Sequence, residues 1–189
     1  MKKGISLPLA LSFITVSGIV GLTVGYYFSP VYQANMYEKV EMGLGVADRY
    51  LDLRYLDAMA THHQSAIMLA QQVVTTSKRS EIRDLATTII NSEPSSIDQL
   101  MQWKKSWYND SRSYSAPQIV NLGTYDDKLD LRFLNALISH HKLGINMAKE
   151  ALSKSTNNEI LNNANELIEF LTNSHLILQD WRFNWYGVK

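Results

Sequence analysis

The sequence contains no cysteine, and its lysines and arginines balance its aspartates and glutamates at 18 each. Without cysteine there can be no disulfide, no zinc finger and no thiolate metal site. The balanced charge argues against nucleic-acid binding, which usually shows as a basic face. Any bound metal must therefore be held by histidine, methionine, carboxylate or backbone oxygen.

Carboxylates placed beside histidine are also scarce. The Glu-x-x-His pattern, which supplies ligands in di-iron helical bundles, occurs nowhere in the chain. Asp52 and Asp130 share a helical stripe with histidines but lie almost three turns away from them. These absences argue against oxygen chemistry at a di-iron centre.

Two segments of the chain repeat one pattern. Residues 59–70 read Met-Ala-Thr-His-His-Gln-Ser-Ala-Ile-Met-Leu-Ala, and residues 137–148 read Leu-Ile-Ser-His-His-Lys-Leu-Gly-Ile-Asn-Met-Ala. The offset of 78 positions holds without a gap, and residues 48–109 share 21 identities in 62 positions with residues 126–187. Such self-similarity indicates an internal duplication, in which each copy forms the same structural unit.

The N-terminal stretch predicts a membrane anchor. Two lysines precede an uncharged, largely apolar run at residues 4–30, which is long enough to cross a bilayer. The best cleavage site, after Ala34, has the bulky Tyr32 where a signal peptidase needs a small residue. We therefore favour an uncleaved anchor over a cleaved signal and a secreted protein. The lysines would stay in the cytoplasm and the remaining chain would lie outside it.

Each repeat predicts a pair of helices. The predicted segments are an anchor or signal at 1–30, a connector at 31–47, repeat one at 48–109, a linker at 110–125 and repeat two at 126–187. The predicted helices are 48–76, 81–108, 126–153 and 157–186. Pro94 should interrupt or kink the second helix, because proline removes a backbone donor. Two hairpins joined by a longer crossover predict an all-α fold, a four-helix bundle whose first and third helices are neighbours.

The paired histidines are the candidate functional residues. His62 and His63 fall on adjacent, otherwise apolar stripes of the first helix, so at least one of them should face the interior. His140 and His141 occupy the same positions in the third helix. Imidazole suits copper, zinc, iron and nickel, and thioether sulfur selects Cu(I).

Two methionines lie at helical spacing from these histidines. Met59 precedes His63 by one turn, and Met147 follows His140 by two turns. Either pair would supply sulfur and nitrogen to one ion. A site of histidine and methionine without cysteine fits copper outside the cytoplasm, where thiols tend to oxidise.

A purely structural interpretation of these residues stays open. A histidine at a helix contact is often a hydrogen-bonded core residue, and a methionine stripe is usually core filling. Duplication of the His-His pair at equivalent positions favours metal binding. His175 has Ile97 as its counterpart and is interpreted as incidental.

The motifs resemble the family called domain of unknown function 305. The resemblance covers about residues 48–187, and it implies a ferritin-like four-helix bundle that binds copper through histidine and methionine, as periplasmic or secreted members do. The matching positions are Asp52, Tyr55, Met59, His62, His63, Ala66, Ile67, Ala70, Asp130, Phe133, His140, His141, Ile145, Met147 and Ala148. The sequence departs from the family pattern at Leu69 and Leu137, where the family has methionine, and at Gly144, where it has alanine.

The sequence thus predicts an extracytoplasmic protein that binds or sequesters copper, or another transition metal, without being an enzyme. No nucleophile, general base or substrate pocket can be named. The predicted ligands are His62, His63, His140 and His141, with Met59 and Met147 as soft partners. The alternatives are a structural or interaction module without metal, and a metal-dependent redox protein.

Overall fold

In the computed structural model, residues 43–118 and 120–188 are described. This part of the chain contains no strand and forms four helices: α1 Leu51–Gln71, α2 Ser80–Tyr108, α3 Leu129–Lys154 and α4 Asn158–Tyr186. The all-α prediction is therefore confirmed, with one helix for each that the sequence predicted.

The first helix is shorter than its predicted range at both ends. Asp48 lies in a turn before α1, where its carboxylate accepts a hydrogen bond from the backbone N–H of Tyr50 at 2.9 Å. At the other end, α1 stops at Gln71 and turns follow. Residues 73–76 are Val-Val-Thr-Thr, and such β-branched side chains lose rotamer freedom in a helix.

The second helix is longer than expected around its proline. It runs from Ser80 to Tyr108 without interruption through Pro94. Pro94 is exposed, so water can hydrogen-bond to the carbonyl of Ile90, which has lost its helical donor. The predicted interruption at Pro94 is therefore wrong, and the alternative of a kink there stays a prediction.

The helices pack as two hairpins that meet along α1 and α3. Helix α2 packs on α1, α4 packs on α3, and α1 contacts α3. The backbone N–H of Leu44, just before α1, donates to the carboxylate of Glu150 near the end of α3 at 2.9 Å. The two central helices are therefore neighbours, as the duplication predicted, and they run antiparallel.

Buried side chains form two hydrophobic clusters, one toward each end of the central pair. One cluster contains Phe133, Leu134 and Leu137 from α3, and the other contains Tyr55 and Leu56 from α1. Both include residues from all four helices. Burial of apolar surface of this kind provides the main favourable free energy of folding. The histidine pairs fall between the two clusters along α1 and α3.

The duplication is visible in hydrogen bonds as well as in sequence. Arg54 donates to the carbonyl of Leu44, and Arg132 makes the same bond to Leu122, 78 positions later. Each arginine also forms a salt bridge at 2.9 Å with an aspartate six residues before it, Asp48 or Asp126. The two halves therefore have the same local structure where the chain enters α1 and α3.

The predicted anchor at 1–30 lies outside the described residues, as does most of the connector at 31–47. Within residues 43–118 and 120–188, no helix is both long and apolar enough to span a membrane.

Candidate metal centre

All four predicted histidines line a single cleft of about 340 Å³. Helices α1 and α3 contribute the histidines, and α2 and α4 form the two sides. The side-wall residues with polar side chains are Thr88, Ser92, Glu93, Ser96, Gln99, Asn163, Glu166 and Ser174. Each of the four histidines is less than a tenth exposed. Both adjacent stripes therefore face the interior, so each helix contributes two histidines to the cleft.

His62 and His140 are in direct contact across the α1–α3 interface. Their rings stack with centroids 3.6 Å apart and planes 14° from parallel. The ring centroid of His63 lies 6.1 Å from that of His62, and the ring centroid of His141 lies 6.2 Å from that of His140. The antiparallel packing of the repeats thus brings four imidazoles to one level.

The hydrogen bonds of His140 determine which of its nitrogens is free. Its Nε2 lies 3.0 Å from the carbonyl oxygen of His62 and 2.9 Å from the hydroxyl of Ser65. Because a carbonyl can only accept, Nε2 carries the proton and donates it. The unprotonated nitrogen is then Nδ1, which is buried and has no hydrogen-bond partner.

His63 is held by a carboxylate from α2. Its Nδ1 forms a short hydrogen bond with Glu93, and since an ionised carboxylate only accepts, Nδ1 carries the proton. In the neutral ring, the lone pair is then on Nε2. A ring N–H tied to a carboxylate or a backbone carbonyl is the usual arrangement of a metal-binding histidine. Glu93 and the His62 carbonyl provide it for two different rings.

Burial keeps His62, His140 and His141 uncharged. Loss of water lowers the pKa of His140 to about 4 and that of His141 to about 3. The pKa of His62 is also well below its ordinary value, first because of burial and then because His140 is adjacent. Neutral imidazole is the form that binds metal.

Three nitrogens in the cleft have no hydrogen-bond partner although they are buried: His62 Nε2, His140 Nδ1 and His141 Nδ1. Buried polar atoms are nearly always paired, so unpaired ones require an explanation such as a bound ion. Their chemistry fits a transition metal, because each is a neutral imidazole nitrogen. No group of three or more histidine or acidic side chains is already arranged around one point in residues 43–118 and 120–188.

Gly144 allows the close approach of His62 to α3. A Cβ atom at this position would lie 2.6 Å from Nε2 of His62 and 2.6 Å from Cδ1 of Leu171. The departure from alanine noted in the sequence therefore has a physical reason: the His62 ring occupies the space of a methyl group.

The methionines are placed differently from the histidines. Met59 and Met147 are fully buried in the hydrophobic cluster around Tyr55, and neither lines the cleft. Their role as ligands stays a prediction.

Asp52 lies near Tyr108, whose pKa rises mainly through burial and further through this carboxylate.

Two polar residues that bond to the histidines were not predicted as site residues: Glu93 and Ser65. Glu93 lies on α2 and bonds to His63 of α1, and Ser65 lies on α1 and bonds to His140 of α3. Spacing along one helix cannot show contacts between helices.

Comparison with known proteins finds one matching family model and several similar structures. The family model "Domain of unknown function (DUF305)" matches residues 52–124, so the resemblance inferred from the motif is confirmed. No curated protein matches the chain significantly.

Three similar solved structures are forms of CopM, each 25% identical and covering 72% of this chain and 98% of that chain. They are the Cu(I)-bound form and the Ag-bound form by co-crystallization, both with a TM-score of 0.65, and the apo form with 0.64.

Proposed function

We propose that this protein binds copper as cargo through His62, His63, His140 and His141. The observation that carries the proposal is the set of buried, neutral imidazole nitrogens that lack hydrogen-bond partners. Glu93 fixes the ring N–H of His63, and the His62 carbonyl fixes the ring N–H of His140. Such fixation orients the opposite nitrogen for a metal.

The similar structures support metal binding. CopM has been solved with Cu(I) and with Ag as well as without metal. Ag(I) and Cu(I) are both soft monovalent ions that accept imidazole and thioether ligands. The family match and these structures point to a metal-binding protein rather than an enzyme, in agreement with the prediction from sequence. We assign the ferritin-like bundle class on the same grounds.

Copper in oxidation state +1 is the preferred occupant. Burial keeps the rings of His62, His140 and His141 neutral, so they favour a low ionic charge. Within the described residues, Glu93 is the one carboxylate hydrogen-bonded to the four histidines. Met59 and Met147 are proposed as additional soft ligands, each on the same helix as a histidine pair. Because both are buried in the neighbouring cluster, side-chain rearrangement would accompany their coordination.

The proposed location is outside the cytoplasm, on a membrane anchor formed by residues 1–30. Its support is the sequence: an uncharged run of bilayer length behind two lysines. The absence of cysteine is compatible with an oxidising compartment. Fractionation of cells after salt and carbonate washes would locate the protein, and recovery in the soluble cytoplasmic fraction would contradict the assignment.

The direct test is anaerobic Cu(I) titration of the full-length protein against a competing chelator. The two double variants His62→Ala/His140→Ala and His63→Ala/His141→Ala separate the stacked rings from the flanking ones. We expect stoichiometric binding by the wild type and at least a tenfold weaker binding by each variant, with helical circular dichroism retained. Equal binding by all three proteins would leave the histidines as structural residues only.

The same samples distinguish a redox protein from a carrier. A carrier releases the bound copper unchanged to the chelator, whereas a redox protein consumes oxygen or an electron donor catalytically. We expect no turnover beyond the stoichiometry of bound copper.

A further inference from the structure

We propose that three exposed apolar residues of α4, Phe170, Leu176 and Ile177, form a docking surface for a partner protein. We call these three residues the α4 patch. The partner would present apolar side chains edged by lysine or arginine. The inference rests on the proposed copper binding for its purpose, which is exchange of the ion with the partner, whereas the contact itself requires no copper.

The α4 patch is strongly exposed for its residue types. Phe170 is 62% exposed, Leu176 59% and Ile177 51%. Phe170 and Ile177 are seven residues apart, so they share one face of the helix, and Leu176 adjoins Ile177. Among the helical residues that the structure describes, exposed large hydrophobic side chains occur on α4 alone. Single exposed hydrophobic residues are common, but their concentration on one helix is typical of an interaction site.

The duplication provides an internal comparison for this surface. At the positions equivalent to the α4 patch, α2 of repeat one has Ser92, Asp98 and Gln99. All three of these polar residues are exposed as well. The fold therefore does not need apolar side chains at these places, and the two copies of one helix differ at all three in the same direction. Packing within the bundle does not account for the α4 patch.

The α4 patch begins at the opening of the histidine cleft. Phe170 lines the cleft and is also mostly exposed, so it lies at the rim. Its equivalent Ser92 lines the same cleft from α2, which makes one side of the opening apolar and the other polar. Ile177 continues the patch along α4 by about 10 Å. A partner bound there would lie beside the route by which an ion enters or leaves.

The surrounding charges define the chemistry of the partner. Residues 85–103 of α2 and 160–181 of α4 contain no lysine or arginine. They contain five carboxylates: Glu93, Asp98, Glu166, Glu169 and Asp180. Two copies of the α4 patch pressed together would bring like charges together, and an anionic lipid surface would be repelled in the same way. Cationic side chains around an apolar centre complement both features of this surface.

The test uses a synthetic amphipathic helical peptide of leucine and lysine as the probe. The chain has no cysteine, so Asn173→Cys, between Phe170 and Ile177, takes a single environment-sensitive fluorophore. Metal-free full-length protein in phosphatidylcholine nanodiscs is titrated with the peptide, and empty nanodiscs correct for peptide bound to lipid. We expect a saturable change in fluorescence. The triple variant Phe170→Ser/Leu176→Asp/Ile177→Gln, which carries the residues of repeat one, should bind about tenfold more weakly.

A matched reporter is available at the equivalent position of α2. Ser95→Cys is exposed like Asn173→Cys and lies in the same acidic surroundings but beside polar residues. We expect a much smaller response to the peptide at this reporter, and none at either reporter to a peptide of leucine and glutamate. Equal responses at the two reporters, or unchanged affinity in the triple variant, would overturn the docking surface.

Two further measurements address the other occupants. A dimer in sedimentation experiments that the triple substitution dissociates would assign the α4 patch to a second copy of the chain and overturn the proposal. A peptide-free response of the Asn173→Cys reporter in phosphatidylglycerol nanodiscs would assign it to lipid, with the same consequence. Because the peptide titrations use metal-free protein, their failure would leave the copper titration intact, and failed copper binding would overturn the proposed function instead.

Discussion

The imidazole rings of His62 and His140 lie face to face, with centroids 3.6 Å apart, although they are 78 positions apart in the sequence. Each comes from the same place in its own repeat, so the antiparallel packing of α1 and α3 makes them meet at the centre. Two charged imidazoles could not stack in this way without strong repulsion. The contact therefore requires neutral rings, and neutral imidazole is also the form that can bind metal.

Acid should destabilise the metal-free protein through these histidines. Unfolded histidine binds a proton near pH 6.5, whereas burial lowers the pKa of His140 to about 4 and that of His141 to about 3. Between these values the unfolded state holds more protons, so stability is present above about pH 6.5 and is lost as pH falls. Each histidine should cost about 2 kcal/mol between pH 7 and pH 5. Urea unfolding at the two pH values measures the loss, and His141→Asn should reduce it.

Gly144→Ala should disturb the metal centre. Alanine in place of glycine inside a helix normally stabilises by about 1 kcal/mol. Here the added methyl group would lie 2.6 Å from His62 Nε2 and from Leu171 Cδ1, so both side chains must move. We expect no gain in melting temperature and about a tenfold loss of Cu(I) affinity. A more stable protein with unchanged affinity would show that the fit of His62 against α3 is unimportant.

Glu93→Gln should weaken copper binding without unfolding the protein. Glutamine can still accept the N–H of His63, but it lacks the charge that strengthens the ring as a ligand. Loss of such outer partners typically costs about 10- to 100-fold in metal affinity. Glu166→Gln is the matched control, since Glu166 lines the same cleft. If both variants bind Cu(I) equally, the Glu93–His63 bond has no role in binding.

The buried cation in repeat one should contribute to stability but not to metal binding. Lys104 is almost fully buried, and its Nζ donates to Asp57 at 2.6 Å and to the carbonyl of Arg112 at 3.0 Å. Repeat two has Arg182 and Asn135 in these places, joined at 3.0 Å. Asp57→Asn should therefore destabilise by about 2 kcal/mol, because a buried ammonium loses the nearer of its two carboxylates. The other, Asp110, lies 3.8 Å from Nζ.

The reciprocal substitution is the control for that pair. Asn135→Asp gives the buried guanidinium of Arg182 a charged acceptor, so it should be neutral or stabilising. Denaturant unfolding provides the free energies, and Cu(I) titration should give wild-type affinity for both variants. Equal destabilisation by the two substitutions would contradict the assigned role of Lys104.

The sequence predicted the four helices, and it predicted that the four histidines lie at the same height along α1 and α3. Both predictions depend on periodicity within a segment and on the duplication. The fixed offset of 78 positions placed His62 opposite His140 without any structural information. It did not predict Glu93 or Ser65 as partners, since their contacts depend on how far each helix is rotated against its neighbour. The same rotation puts Met59 and Met147 in the hydrophobic cluster, which their spacing from the histidines cannot show.

The end of α1 could not be predicted from the helical pattern alone. Residues 48–76 contain no glycine or proline, yet the helix ends at Gln71, just before the β-branched run at residues 73–76.

The central claim is that copper binds through imidazole nitrogens of the four histidines in the cleft. X-ray absorption at the copper edge, on full-length protein loaded with Cu(I), tests it most directly. The account predicts a nitrogen-containing shell with the outer-shell scattering of imidazole rings, lost in the variant with His62, His63, His140 and His141 all changed to alanine. A shell of sulfur and oxygen without imidazole scattering, unchanged in that variant, would contradict it.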